Sequence, residues 1–175
     1  MQPHFLFNAL STLKSLINTN AELAEEYLIK LSDFLRFSVS SQANRLIDLE
    51  EELKFTNDYI KLQQIRFGNS FHCQIDIPES ILKHYQLPVY ALQTLVENAI
   101  KHNAFSENKP LKLSIVLKNE YIEVRNNKIA KHTEIKSGVG LENLDKRFTL
   151  IGSERIRVVN EADYFLVSIK LLPKE

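Results

Sequence analysis

The sequence predicts a helical module to about residue 68, followed by an α/β module with antiparallel strands, and three observations carry that reading. No glycine occurs before Gly68 and no proline lies between Pro3 and Pro78, so nothing interrupts a helix there. Apolar residues in that stretch recur at three- and four-residue spacing, and after Gly68 they begin to alternate with polar ones. The other three glycines, Gly138, Gly140 and Gly152, bracket one short segment near the C-terminus.

The elements follow in order. Pro3 suits a first helical turn, and Leu6, Leu10, Leu13 and Ile17 then mark one face. Asn18-Thr19-Asn20 breaks that helix, and a second carries Leu28, Leu31 and Leu35 on one stripe. Asp48 and Glu51 have capping-box spacing and open a third helix, through Leu49, Leu53 and Ile60, that ends near Gly68. Residues 71–77 alternate as a strand and stop at Pro78. A helix is predicted over 88–103, and strands over 111–117 and 121–124 joined by a turn at 118–120. Residues 129–137 are polar and unpatterned, which predicts a loop. Residues 140–150 read as a helix that Gly152 stops, and 156–159 with 165–171 read as a terminal hairpin.

Composition excludes several classes. Twenty-two basic and twenty-two acidic residues give zero formal net charge. There is neither the basic excess of a nucleic-acid binder nor the basic run of a membrane-surface helix. Cys73 stands alone, which excludes an internal disulfide framework and a cysteine metal cluster and points to a reducing interior. No run reaches the roughly 18 consecutive apolar residues of a membrane span, so no direct membrane contact is expected of these residues. Helix-patterned sequence begins at once after Met1, with no signal-peptide pattern. The chain is expected to be a piece of something longer.

The chemistry concentrates in two places. In Gln93-Thr94-Leu95-Val96-Glu97-Asn98-Ala99-Ile100-Lys101-His102-Asn103, Asn98 lies three residues from Lys101 and four from His102, so the three share a helix face, with Glu97 adjacent. An amide oxygen able to ligate Mg²⁺, beside two donors for anionic oxygens, is what a nucleoside triphosphate needs. Taken singly, Asn98 reads equally well as a satisfied core amide and Lys101 as a solvated cation. The second place is Gly138-Val139-Gly140, which opens a helix whose bare N–H groups and dipole favour phosphate. A simple turn is the plainer reading of that pair alone. Asn143 and Arg147 follow one turn apart, and Arg147 either contacts phosphate or pairs with an acidic neighbour. Together the two places predict a site for ATP with Mg²⁺ on Asn98. His4, with Asn8 one turn on, is then a candidate nucleophile toward the γ-phosphoryl group. His72, His84 and His132 lack partners at metal-ligand spacing.

The order Gln2-Pro3-His4-Phe5-Leu6-Phe7-Asn8, then Leu95-Val96-Glu97-Asn98-Ala99-Ile100-Lys101-His102, then Gly138 through Arg147 resembles the LytS/YehU-type sensor histidine kinases over nearly the whole chain. The resemblance implies a helical dimerisation and phosphotransfer module over residues 1–68. It implies a Bergerat-type (GHKL) α/β sandwich, with a mixed and mainly antiparallel sheet, over 69–175. His4 would take the phosphoryl group, Asn98 would be the Mg²⁺-binding N-box asparagine, and Gly138 and Gly140 the lid glycines. Lys101, His102, Asn126, Asn143 and Arg147 would complete the nucleotide contacts. The chain would be a homodimer that hands its phosphoryl group to a response-regulator receiver aspartate. It would be the cytoplasmic part of a membrane sensor protein.

Two departures stand out. The family's Val-x-Asp-Asn-Gly adenine box is here Val124-Arg125-Asn126-Asn127-Lys128. An uncharged Asn126 in place of Asp gives up about 1 kcal/mol of charge assistance, which is several-fold in ATP affinity. Lys128 in place of glycine is expected to crowd the base. Beside His4, where other histidine kinases often place an acid, stands Phe5. That leaves Glu97 as the group to orient or deprotonate the imidazole. The competing function is a degenerate pseudokinase dimer that serves as a signalling module.

Overall fold

The computed structural model describes residues 3–40, 45–130 and 139–174. Gly138, His132 and residues 131–137 of the expected loop lie outside the described residues. Two helices, α1 (Pro3–Thr19) and α2 (Ala21–Ser40), precede a short strand β1 (Leu46–Asp48) and a third helix α3 (Leu49–Phe67). Asn20 separates the first two, and its side-chain oxygen accepts the Leu23 N–H at 3.1 Å, so the break predicted there is also a cap. Gly68 ends α3 at φ 53°, its N–H closing on the Gln64 carbonyl.

After α3 come β2 (Phe71–Asp76), β3 (Tyr85–Pro88), α4 (Ala91–His102), β4 (Leu111–Lys118) and β5 (Tyr121–Asn127). Then follow α5 (Val139–Leu150), β6 (Arg157–Asn160), β7 (Tyr164–Lys170) and β8 (Leu172–Pro173). The main sheet has the order β2-β4-β5-β7-β6. Only the β2–β4 pair is parallel, so the sheet is mixed and mainly antiparallel, as expected. A second, small sheet, β1-β3-β8, ties the segment before α3 to the C-terminal end. Buried residues from Ala9 on α1 to Leu171 after β7 belong to one core. Leu144 and Phe148 seat α5 in that core, and the Asp145 carboxylate binds the Ile156 N–H at 3.0 Å and Arg155.

Several sequence expectations need correction. The helix expected from Pro88 begins at Ala91, because Leu87 and Pro88 are paired in β3. Asp48 makes no side-chain cap to α3; its carboxylate instead accepts from Lys174 Nζ at 2.6 Å and Gln86 Nε2 at 3.1 Å. Strand β5 runs three residues past Val124, so Asn126 lies in the sheet rather than beyond it. The 71–77 strand ends one residue early, and the terminal hairpin pairs 157–160 with 165–168. Among the stripe residues, Leu31 is buried while Leu10, Ile17 and Leu28 are 51, 61 and 48% exposed.

Candidate active site

Helix α4 owes its placement to a residue that sequence reading passed over. Tyr90, just before it, sits in the left-handed region at φ 64°, ψ 19°, a conformation costing a non-glycine residue on the order of 1 kcal/mol. Its N–H donates to Glu52 Oε2 at 2.9 Å and its hydroxyl to the Ser38 carbonyl at 3.0 Å. Its ring lies 5.3 Å from that of Phe55. The Leu92 N–H donates to the other Glu52 oxygen at 2.8 Å. A carboxylate from α3, forty residues earlier in the chain, therefore closes the exposed N–H end of α4 that local residues normally cap.

Glu52 is fully buried, and burial is the largest influence on its carboxyl. Despite opposing N–H donors from Leu92, Tyr90 and Gln93 and the charge of Arg147, it is pushed up to about 7. A carboxyl raised above its unfolded value favours the fold when protonated. That contribution is complete below about pH 4.5 and is lost as pH rises through about 7. Unfolding free energy is expected to fall by about 3 kcal/mol across that window, at about 1.4 kcal/mol per unit. Urea melts of wild type and Glu52→Gln at pH 5 and pH 8 check this; the variant should lose the slope.

Thr94, Glu97, Asn98 and Lys101 on α4 face Val139, Gly140, Asn143, Leu144 and Arg147 on α5 across a cleft of about 290 Å³. Both sets recur at three- and four-residue intervals, so each is one ridge of its helix. The cleft thus brings together an amide, a lysine, an arginine and the first turn of α5, whose N–H groups have no partner within that helix. Glu97 Oε2 accepts from Gln93 Nε2 at 3.0 Å. Arg147 Nη2 donates to the Val89 carbonyl at 2.5 Å. Burial lowers its guanidinium from the ordinary value, while the charge of Glu52 pulls the other way. Arg147 therefore lines the cleft, within the electrostatic influence of Glu52.

The remaining predicted residues lie elsewhere. His102 is half-buried on the last turn of α4 and does not line the cleft. Asn126 is buried on β5, its Nδ2 donating to the Asn127 carbonyl at 2.7 Å, and is also outside the lining. Lys128 does not hang loose: its Nζ donates to Asn160 Oδ1 at 3.0 Å and to the Glu161 carbonyl at 2.7 Å, in the β6–β7 turn. His4 is exposed on α1, with Asn8 Nδ2 3.0 Å from Nδ1. As placed, that amide makes Nδ1 an acceptor; exchanging its O and N positions reverses the tautomer and leaves Nε2 the lone pair. Besides Glu52, sequence reading passed over Thr94 and the buried Asn103, whose side-chain oxygen accepts the Ile129 N–H at 2.7 Å and so holds the exit of β5 against α4. A carboxamide directly after the Asn98-Ala99-Ile100-Lys101-His102 run was the available signal.

A family model described as histidine kinase matches residues 1–71. Sensor protein LytS of Staphylococcus saprophyticus is 36% identical over 166 residues, covering 84% of this chain and 28% of that protein. Sensor protein LytS of Enterococcus faecalis is 31% identical over 172 residues, covering 88% and 29%. Sensor histidine kinase BtsS of Escherichia coli K12 is 32% identical over 152 residues, covering 84% and 27%. The chain thus spans little more than a quarter of the length of these curated relatives. Among solved structures, a bacterial phosphotransferase aligns with TM-score 0.51 at 12% identity, over 93% of this chain and 86% of that one. The cytoplasmic segment of histidine kinase QseC aligns with TM-score 0.50 at 15% identity, over 85% and 95%. At such identities the likeness speaks for the fold, while the sequence relatives carry the family. The chain belongs to the LytS-type sensor histidine kinases.

Proposed function

We propose that this chain is the ATP-dependent, autophosphorylating core of a sensor kinase, passing a phosphoryl group from His4 to a receiver-domain aspartate. The supporting observation is a cleft in which Asn98 and Lys101 of α4 face Arg147 and the first turn of α5. Two cations, an amide oxygen and helix N–H groups suit a metal-bound polyphosphate. Its volume suits the phosphate end of a nucleotide rather than the whole molecule. Asn126 on β5 is the proposed adenine contact, and His102 a further contact of the ligand.

Among the described residues no group of three or more His, Cys, Asp or Glu side chains would hold a metal ion. That fits Mg²⁺ held by one protein amide, Asn98, with the ligand's own oxygens. Held by Asn98, Mg²⁺ would supply charge neutralisation for the phosphates. Asn98 and Lys101 hold and orient the tail; Glu97, in the same wall, receives the imidazole proton or orients the ring. His4 Nε2 forms the bond to the γ-phosphorus as the bond to the ADP oxygen breaks, and ADP leaves. With its amide oxygen and nitrogen exchanged, Asn8 would accept Nδ1–H and hold the tautomer whose Nε2 carries the lone pair.

Residues 1–68 are proposed to supply dimerisation and phosphotransfer, and 69–175 the nucleotide site. Phe7, at 70% exposed, lies with Leu10 and Ile17 along α1, an apolar strip suited to a second copy. Among the described residues no helix is long and apolar enough to cross a membrane. A cytoplasmic position beneath a membrane sensor remains part of the proposal. The uncharged Asn126 favours a second reading, a dimer that signals without turnover.

Incubation with γ-labelled ATP and Mg²⁺ separates the readings. Acid-labile, base-stable label on the chain supports the kinase. Nucleotide binding without label supports a switch that does not use His4. Neither outcome leaves the pseudokinase. The Gly140→Ala variant offers a finer check, because its added Cβ would meet only Thr94 Cγ2, at an ordinary 3.9 Å. Alanine should stabilise the ligand-free protein by up to about 1 kcal/mol of helix propensity, seen as a higher thermal midpoint. The new methyl group in the cleft wall should weaken nucleotide binding, measured by titration calorimetry.

A further inference from the structure

We propose that Glu52 is a positioning residue of the nucleotide cleft: from α3 it closes the head of α4, and so fixes the segment whose Val89 carbonyl holds Arg147 of α5 in the cleft wall. The inference rests on the reading of that cleft as a nucleotide site.

Residues 89–92 are grasped from two sides. Arg147 takes the Val89 carbonyl, and the two oxygens of Glu52 take the N–H groups of Tyr90 and Leu92. Three helices therefore meet on one peptide segment, and two of them, α4 and α5, form the cleft. The segment includes Tyr90 in its left-handed conformation, which persists only where the surroundings hold it. Asn98 lies six residues beyond Leu92, about 9 Å along the helix at 1.5 Å per residue. A change in how the head of α4 is held therefore rotates or shifts the amide directly.

The chemistry calls for a carboxylate. It offers an acceptor to each of two N–H groups, whereas a glutamine in its place offers one oxygen and turns its NH₂ donors toward the other. The groups facing Glu52 electrostatically are Arg147 from α5 and the Tyr90 hydroxyl from the head of α4. Arg147 is thus held by a carbonyl of the same segment while it lines the cleft in which the ligand's phosphates would sit.

The test uses Mg²⁺ with the nonhydrolysable ATP analogue AMP-PNP on the whole chain at pH 8, above the range in which the Glu52 carboxyl takes up a proton. Wild type, Glu52→Gln, Arg147→Ala and the double variant are titrated by calorimetry, and amide exchange at Tyr90 and Leu92 is followed without ligand. Glu52→Gln should keep a cooperative melt, bind about tenfold or more weakly, and exchange faster at those two amides. That loss corresponds to about 1.4 kcal/mol. In the double variant the losses should not multiply, because both act through one arrangement. Affinity for Glu52→Gln equal to wild type, unchanged exchange, or fully multiplying losses would overturn the proposal. If Glu52→Gln does not fold, Glu52→Asp replaces it: the charge stays but the reach shortens by one methylene, and wild-type affinity with wild-type exchange is then the refuting result. Failure of the wild type itself to bind AMP-PNP sinks the nucleotide reading. Binding by wild type with an indifferent Glu52→Gln sinks only this inference.

Discussion

His4→Ala is expected to leave no acid-labile phosphate on the chain while nucleotide affinity stays within about twofold of wild type, the range of an ordinary surface substitution. The reasoning is local. His4 is exposed on the first turn of α1, does not line the cleft, and bonds to Asn8 on its own helix. Losing the imidazole removes the only nucleophile the proposal assigns but no core contact, since Phe5 and Ala9 hold that end of α1. Labelling and calorimetry on the same preparation check both halves. Retained label would move the phosphoacceptor elsewhere; lost binding would mean that the substitution disturbed more than the ring.

The second large effect is expected at Asn98. Its carboxamide is the one metal ligand assigned, and no acidic cluster among the described residues can take over. Asn98→Ala should abolish the Mg²⁺-dependent part of nucleotide affinity. It should also lower the labelling rate by about 10² or more, as the metal's charge stabilisation amounts to several kcal/mol. Titrations with and without Mg²⁺ make the comparison. Unchanged labelling would overturn the metal assignment while leaving the cleft in place. Glu97 and Lys101 remain to hold the ridge in the variant, and Asn98 is half-buried, so the fold should persist.

Much of this architecture was legible because it is local. Helices α1 to α3 announce themselves by spacing and by the absence of glycine, and Asn98, Lys101, Gly140, Asn143 and Arg147 meet in one cleft because each set follows helical periodicity. What was not legible is pairing between distant segments. Strands β1, β3 and β8 have only three, four and two residues and exist by pairing with one another. Nothing in Tyr85-Gln86-Leu87-Pro88 shows this, so Pro88 reads instead as a helix start. Glu52 was hidden in the same way. Glu50-Glu51-Glu52 looks like a solvated first turn, yet the third carboxylate is directed inward to a helix head in another part of the chain. Lys128 looked like an obstacle to a base and is engaged by a turn that only the β6–β7 pairing creates. His102 follows the helix but falls past the end of the cleft.

The rings around Tyr90 have a mechanical consequence. Phe5, next to His4, lies 4.9 Å from Phe34; Phe34 stacks at 4.6 Å on Phe55; and Phe55 lies 5.3 Å from Tyr90. A packed interior transmits strain and jumps between discrete arrangements rather than deforming smoothly. Tilting α1 must therefore either drag the start of α4 along or unstack the row. A displacement at one end of the molecule would then reach the other along one row of rings, with no loop needed to carry it.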